Sequence, residues 1–191
     1  MNDETAPLPL LDPARANPAV REALAGEPPL KLLQAIANAQ SAFPAWLGYA
    51  NTLLRGLTLE PRHRELAMLQ VAKVTPHSEY EWAQHVGLAR KRGVTEEQLA
   101  AIDAGDIEAD CFAPVDRMLL AFAAALARDG VAPRSLVDEL VDRLSLEQVV
   151  ETILLVSHML LLARVSATFD LQPEAAAADQ ILGRPATTKN P

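Results

Sequence analysis

Arg62-His63-Arg64-Glu65-Leu66 opens an apolar stretch that stops at Pro76, and Ser78-Glu79-Tyr80-Glu81-Trp82-Ala83-Gln84-His85 follows at once. In the first run Leu66, Leu69, Val71 and Val74 recur at helical spacing. Pro61 is tolerated at a helix start, and Pro76 breaks the helix. In the second, Ser78 with Glu81 three residues on has the spacing of a capping box, and Gly93 supplies a C-cap. Glu65 can approach the second helix only if the two pack antiparallel across the short Thr75-Pro76-His77 turn, and a turn of this length is typical of adjacent antiparallel helices. On that helix Ser78, Glu81 and His85 share a face, since i, i+3 and i+7 line up at about 3.6 residues per turn. A hydroxyl, a carboxylate and an imidazole stacked in this way form a pattern able to move protons.

Outward from this pair the chain reads as helix after helix. Candidates run over 30–42, 45–55, 62–74, 78–93, a short helix opened by Thr95-Glu96-Glu97-Gln98, 115–128, 133–143 and 145–169. No strand alternation appears. Apolar residues make up 50% of the chain but aromatics only 4%, and the apolar content is mostly Ala and Leu, which favours helix. The expected fold is all-α, a single-domain bundle of about seven helices over residues 30–184. Pro7, Pro9, Pro13, Pro18, Pro28 and Pro29 rule out one continuous helix over residues 1–29, read as an arm. Residues 185–191 read as a flexible tail.

The bulk numbers exclude several functions. A net charge of −8 makes nucleic acid an unsuitable partner. Cys111 is the one cysteine, so an internal disulfide or dithiol pair is impossible and a reducing compartment is expected. The start, Met1-Asn2-Asp3-Glu4, does not resemble a signal peptide. The most apolar segment, 153–163, reads as a core helix too short to span a bilayer. A cytoplasmic protein without membrane partners is expected.

Residues 60–102 resemble the carboxymuconolactone decarboxylase family, which includes the alkylhydroperoxidase D-like proteins. The resemblance rests on Arg62-His63-Arg64-Glu65-Leu66, then Glu79-Tyr80-Glu81-Trp82 with His85, then Leu88-Ala89-Arg90 and Gly93-Val94-Thr95-Glu96-Glu97. Leu154-Leu155-Val156 with Ala163-Arg164 is similar to the family's closing helix. The resemblance implies an alkylhydroperoxidase D-like helical fold and a homo-oligomer, trimer or hexamer. The family's peroxidase branch carries Cys-x-x-Cys-x-x-x-His with a relay glutamate on the preceding helix. By position His85 matches the histidine, Ser78 and Glu81 fall on the two cysteines, and Glu65 lies close to the relay glutamate. Dithiol chemistry needs an attacking thiolate and a resolving thiol, which serine and carboxylate do not provide.

Glu65, Glu81 and His85 are thus the catalytic candidates. Each has a plainer alternative: Glu81 as structural partner of His85, and Glu65 in a surface ion pair with Arg62 or Arg64. Ser78, Tyr80, Trp82, His158 and Arg164 are the candidates for lining a substrate pocket. Against this, Ser78 can serve as a helix cap, and Tyr80 and Trp82 as core or interface aromatics. His158 can be a satisfied buried histidine, and Arg164 can pair with a structural carboxylate instead of a substrate one. His63 and His77 read as solvent-facing. Glu81 and His85 form an i, i+4 pair, but no further ligands stand out, so no metal is expected. No Gly-rich phosphate loop is present, so no nucleotide cofactor is implied. Three functions remain: a cofactor-free acid–base enzyme, such as a lyase, acting on a small organic acid or lactone; an alkylhydroperoxidase-like antioxidant protein, opposed by the missing cysteines; and a non-catalytic helical oligomer that binds a ligand.

Overall fold

A computed structural model describes residues 8–174. Its elements are a 3-10 turn at Pro13–Arg15 and the helices α1 Pro18–Ala25, α2 Lys31–Ile36, α3 Phe43–Arg55, α4 Pro61–Val74 and α5 Glu79–Lys91. They continue with α6 Glu96–Ala104, α7 Pro114–Asp129, α8 Arg134–Arg143 and α9 Leu146–Thr168. The described residues are all-α and hold nine helices. The reading of residues 1–29 allowed no long helix, yet the segment between Pro18 and Pro28 is long enough for α1. Asn17 caps it by accepting from the Val20 N–H, with Pro18 in the first turn, where no N–H partner is needed. Ala16 and Val20 are buried with Leu33, Ala37, Phe43 and Leu47. The expected tail, residues 185–191, and the end of the expected domain lie outside the described residues.

Helix α4 is the axis. It packs on α5, α7 and α9, and every residue from His63 to Ala72 is buried. A helix enclosed on all sides cannot show a one-sided apolar stripe, which is why charged residues sit inside it. Leu53, Met68, Val71, Leu119, Leu155 and Met159 form the core between α4, α7 and α9. Leu66, Leu69, Leu99, Ile102 and Phe112 form a second core under α6. Each buried CH₂ in these clusters contributes about 0.8 kcal/mol.

Helix α9 corrects one expectation. Its 23 residues, with a mean hydropathy of 1.7 over the most apolar window, are long and apolar enough to cross a membrane by length and composition. Half of that window is buried inside the fold, where Thr152, Leu155, Val156 and Met159 face the core. Its outer face leaves Leu146, Val150, Ile153, Leu154 and Leu161 exposed.

Candidate functional site

Antiparallel packing of α4 and α5 brings Glu65 to His85. The carboxylate is completely buried, and its Oε2 lies 2.9 Å from His85 Nδ1. Its other oxygen, Oε1, lies 2.9 Å from Arg92 Nη1. That approach is off the N–H axis, so the contact is an ion pair rather than an aligned hydrogen bond. Arg92 is the C-cap of α5, and Gly93 turns the chain away behind it with φ +88°, a left-handed conformation that suits glycine. Arg92 Nη2 also donates to the Leu54 carbonyl at 3.4 Å, and Arg64 Nη1 donates to the same carbonyl at 2.8 Å. Two guanidiniums thus close the C-terminal end of α3, where cations are favoured.

His85 lines a cavity of about 140 Å³. Its walls are mainly apolar: Leu32 and Leu33 of α2, Leu47 and Leu53 of α3, Met68 of α4, Leu155, Met159 and Leu162 of α9. The polar groups of its interior are His85, His158 and Gln84, while Glu27, Asn51 and Arg55 stand together at one side. There Asn51 donates to Glu27 at 3.1 Å and accepts from Arg55. Toward an ionised Glu65 carboxylate, which can only accept, His85 Nδ1 is the donor, and Nε2 is the ring nitrogen left without a partner among the described residues. The arrangement is an oriented imidazole at the wall of an apolar chamber, able to take up a proton and stabilised by the carboxylate behind it.

His158 of α9 also faces this cavity. It is 8% exposed, stacks on Trp46 (centroids 5.7 Å apart, planes at 25°) and meets the edge of Tyr49 at 5.5 Å. Burial, with the charge of His85 second, pushes its pKa down to about 4. The imidazole is therefore neutral at physiological pH.

The remaining expected site residues are placed differently. Glu81 is buried, 2% exposed, but it does not bond to His85; neither oxygen has a hydrogen-bond partner among the described residues. Ser166 stands beside it with its hydroxyl donated to the Ala163 carbonyl at 3.1 Å. Burial pushes the Glu81 carboxyl above the usual range, which Ser166, its own backbone and His85 only moderate. Ser78 occupies the N-cap position of α5 but makes no cap bond, and its buried Oγ is unpaired, so the capping box is not realised. Tyr80 lies outside the cavity and donates to Glu174 at 2.8 Å; burial and then that carboxylate raise its pKa. Trp82 packs on the α6 core and borders a separate surface groove with His77 and Ser78. Arg164 is exposed and donates to the Leu160 carbonyl one turn earlier at 2.6 Å, so it cannot hold a substrate in this cavity.

His63 is not solvent-facing. It is buried, with Nε2 3.2 Å from Asp116 Oδ1. Arg62 pairs with Asp116 as well, and not with Glu65. The sequence reading missed Arg92 and Trp46; the available signal was a cation placed directly before a glycine turn. Gln84, also missed, donates to Glu174 at 2.6 Å while lining the cavity. Among the described residues no group of three or more His, Cys, Asp or Glu side chains is placed to hold a metal ion.

The comparisons fit this geometry. The carboxymuconolactone decarboxylase family model matches residues 40–125, the segment that carries α4, α5 and most of the cavity. Among solved structures, the debrominase Bmp8, as an alanine variant in complex with 2,3,4-tribromopyrrole, is similar with TM-score 0.67 and 20% identity, covering 94% of this chain and 96% of that one. An Agrobacterium tumefaciens protein of unknown function, suggested to be the antioxidant defence protein AhpD, is similar with TM-score 0.65 and 21% identity, covering 73% of this chain and 96% of that one. No curated protein matches the chain. The matched segment and the shared fold lead to one conclusion: residues 40–125 carry a segment similar to the carboxymuconolactone decarboxylase family, set in an all-helical fold shared with both solved structures, and Ser78 and Glu81 lie within that segment.

Proposed function

We propose that the protein is a cofactor-free acid–base enzyme that moves a proton on a small, one-ring organic acid or lactone. The observation that carries this reading is His85, held by Glu65 at 2.9 Å and opening on an apolar cavity. His85 Nε2 takes a proton from the carbon next to the substrate carbonyl, the electron pair moves to the carbonyl oxygen as an enolate, and the imidazolium formed is stabilised by Glu65. Return of that proton from the imidazolium, to the same carbon or to a neighbouring carbon of the enolate, completes the reaction. Arg92 is a positioning residue, since it touches Glu65 and not the cavity.

The cavity volume supports the size class. At about 140 Å³ it is close to the engineered cavity of about 150 Å³ that accepts benzene. The debrominase with the similar fold is named with a one-ring ligand, which agrees with this scale. The antioxidant reading has less support: Cys111 lies beside the α6 core and not at the cavity, and burial raises its thiol pKa, which disfavours the thiolate. Self-association, in a trimer or hexamer, is part of the proposal; the exposed apolar face of α9 is the surface offered to a second copy.

Incubating the protein with one-ring lactones in D₂O tests the function. The expected result is deuterium at the carbon next to the carbonyl, lowered at least about 100-fold in His85→Gln, the usual scale of a general base. Exchange that persists in folded His85→Gln contradicts the reading.

A further inference from the structure

His158 faces the cavity, its ring nitrogens have no hydrogen-bond partner among the described residues, and the proton-transfer step does not use it; Gln84 Oε1, on another wall, is an unpartnered acceptor. The His158 ring is held from two sides by Trp46 and Tyr49, so the plane in which it can donate is set. A donor that faces an apolar chamber without a partner gains a hydrogen bond from a ligand atom that accepts from it. The cations near the site are already engaged: Arg92 on Glu65 and Leu54, Arg55 on Asn51. The Glu65 carboxylate behind His85 adds a negative charge close to the chamber.

We infer that His158 is the residue that recognises the substrate's carbonyl oxygen, so that the cavity selects an uncharged one-ring carbonyl compound over a carboxylate. The inference rests on the acid–base reading of the same site and narrows it from organic acid or lactone to the lactone and other uncharged carbonyl compounds. A carboxylate entering this chamber would lose its water and meet leucine walls, which is expensive for a charge. A neutral carbonyl loses less and accepts one hydrogen bond from the neutral imidazole. During turnover the bond strengthens: the carbonyl oxygen gains the electron pair that the C–H bond gives up, while the proton sits on His85 Nε2. His158 keeps its own proton throughout. The low pKa that burial imposes on it keeps it a neutral donor rather than a competing acid. A neutral donor stabilises the enolate without protonating it.

Binding of cyclohex-2-enone, with benzoate as the charged counterpart, tests the inference by NMR on protein carrying ¹⁵N-labelled histidine. The enone should shift the His158 ring nitrogens with saturation, and benzoate should bind at least tenfold more weakly. His158→Phe keeps the aromatic stack but cannot donate, and should weaken the enone at least tenfold. His158→Gln restores a donor and should recover most of that loss, a recovery that a merely structural histidine would not produce. Benzoate binding as tightly as the enone, no saturable enone binding, or equal enone affinity in folded His158→Phe each overturns the inference. Enone binding that behaves as expected while deuterium exchange is absent counts against the proton-transfer reading alone.

Discussion

Helix α4 carries two buried clusters of the same composition, and they do different things. Arg62 and His63 converge on Asp116 of α7; three residues along α4, Glu65 meets His85 and Arg92. Each cluster holds one carboxylate, one guanidinium and one imidazole. Around Asp116 the pairing is saturated: Arg62 donates with two nitrogens at 2.8 and 2.7 Å, His63 lies at 3.2 Å and the Ala113 N–H donates at 3.1 Å. Burial alone would raise this carboxyl, but those bonds and the Arg62 charge outweigh it and hold it well below the usual carboxylate range. Around Glu65 the arginine is off-axis, and the histidine turns its other nitrogen to a cavity. Residue types alone therefore do not mark a site. An unspent nitrogen and an empty-walled chamber beside it do, whereas full pairing marks a clamp between helices.

Asp116→Asn should have the largest effect on stability. It leaves Arg62 and His63 facing a neutral group, and denaturant unfolding should show a loss of about 3 kcal/mol, typical of breaking a buried ion pair. The native pKa of Asp116 is depressed, so its contribution is present above the unfolded value of 3.8 and is lost as pH falls below it. Lactone exchange should survive in the folded fraction; its disappearance there would erase the contrast between the clusters.

His158 comes next. Its pKa falls from 6.5 to about 4 on folding, so its contribution is present above 6.5 and is lost as pH falls through about 4, up to about 3 kcal/mol in all. Thermal melts between pH 7 and 4 should show His158→Phe losing less stability with acid than the wild type. Parallel losses would mean that folding does not lower the pKa of this ring.

Glu81 gives a smaller effect of opposite sign. Its raised pKa makes the ionised form costly, so the penalty grows as pH rises above the ordinary 4.5. Glu81→Gln should melt higher than the wild type at pH 8 and gain less at pH 4. A lower melting point at pH 8 would show that the carboxylate charge is used. The smallest effect is expected for Cys111→Ser, which should leave lactone exchange within about twofold; a thiol-dependent loss of activity would return the antioxidant reading to the front.

Much of this was legible in the chain because local signals agreed with the packing. Pro61, Pro76 and Gly93 set the ends of α4 and α5, and the short turn between them put Glu65 beside His85. Thr95 and Gln98 form the capping box that their spacing announces. Elsewhere the faces could not be read. In the run 153–163 apolar residues fall on every face, so periodicity did not reveal that Arg164 points outward while His158 points in. Ser78 has the spacing of a cap, yet φ −110° and ψ 24° place its backbone outside the extended geometry such a cap uses, and the bond is lost. His63 looks solvent-facing near a helix start, but its partner Asp116 lies 53 residues later on another helix, a pairing no local pattern contains.

The central claim is that the cluster at the cavity, and not its counterpart at Asp116, moves protons. One measurement addresses it most directly: the rate of solvent deuterium uptake into a one-ring lactone by Glu65→Gln and Asp116→Asn, each corrected for folded fraction. The account predicts a loss of at least about 100-fold for Glu65→Gln and a rate within about threefold of wild type for Asp116→Asn. Equal rates in the two variants would contradict it.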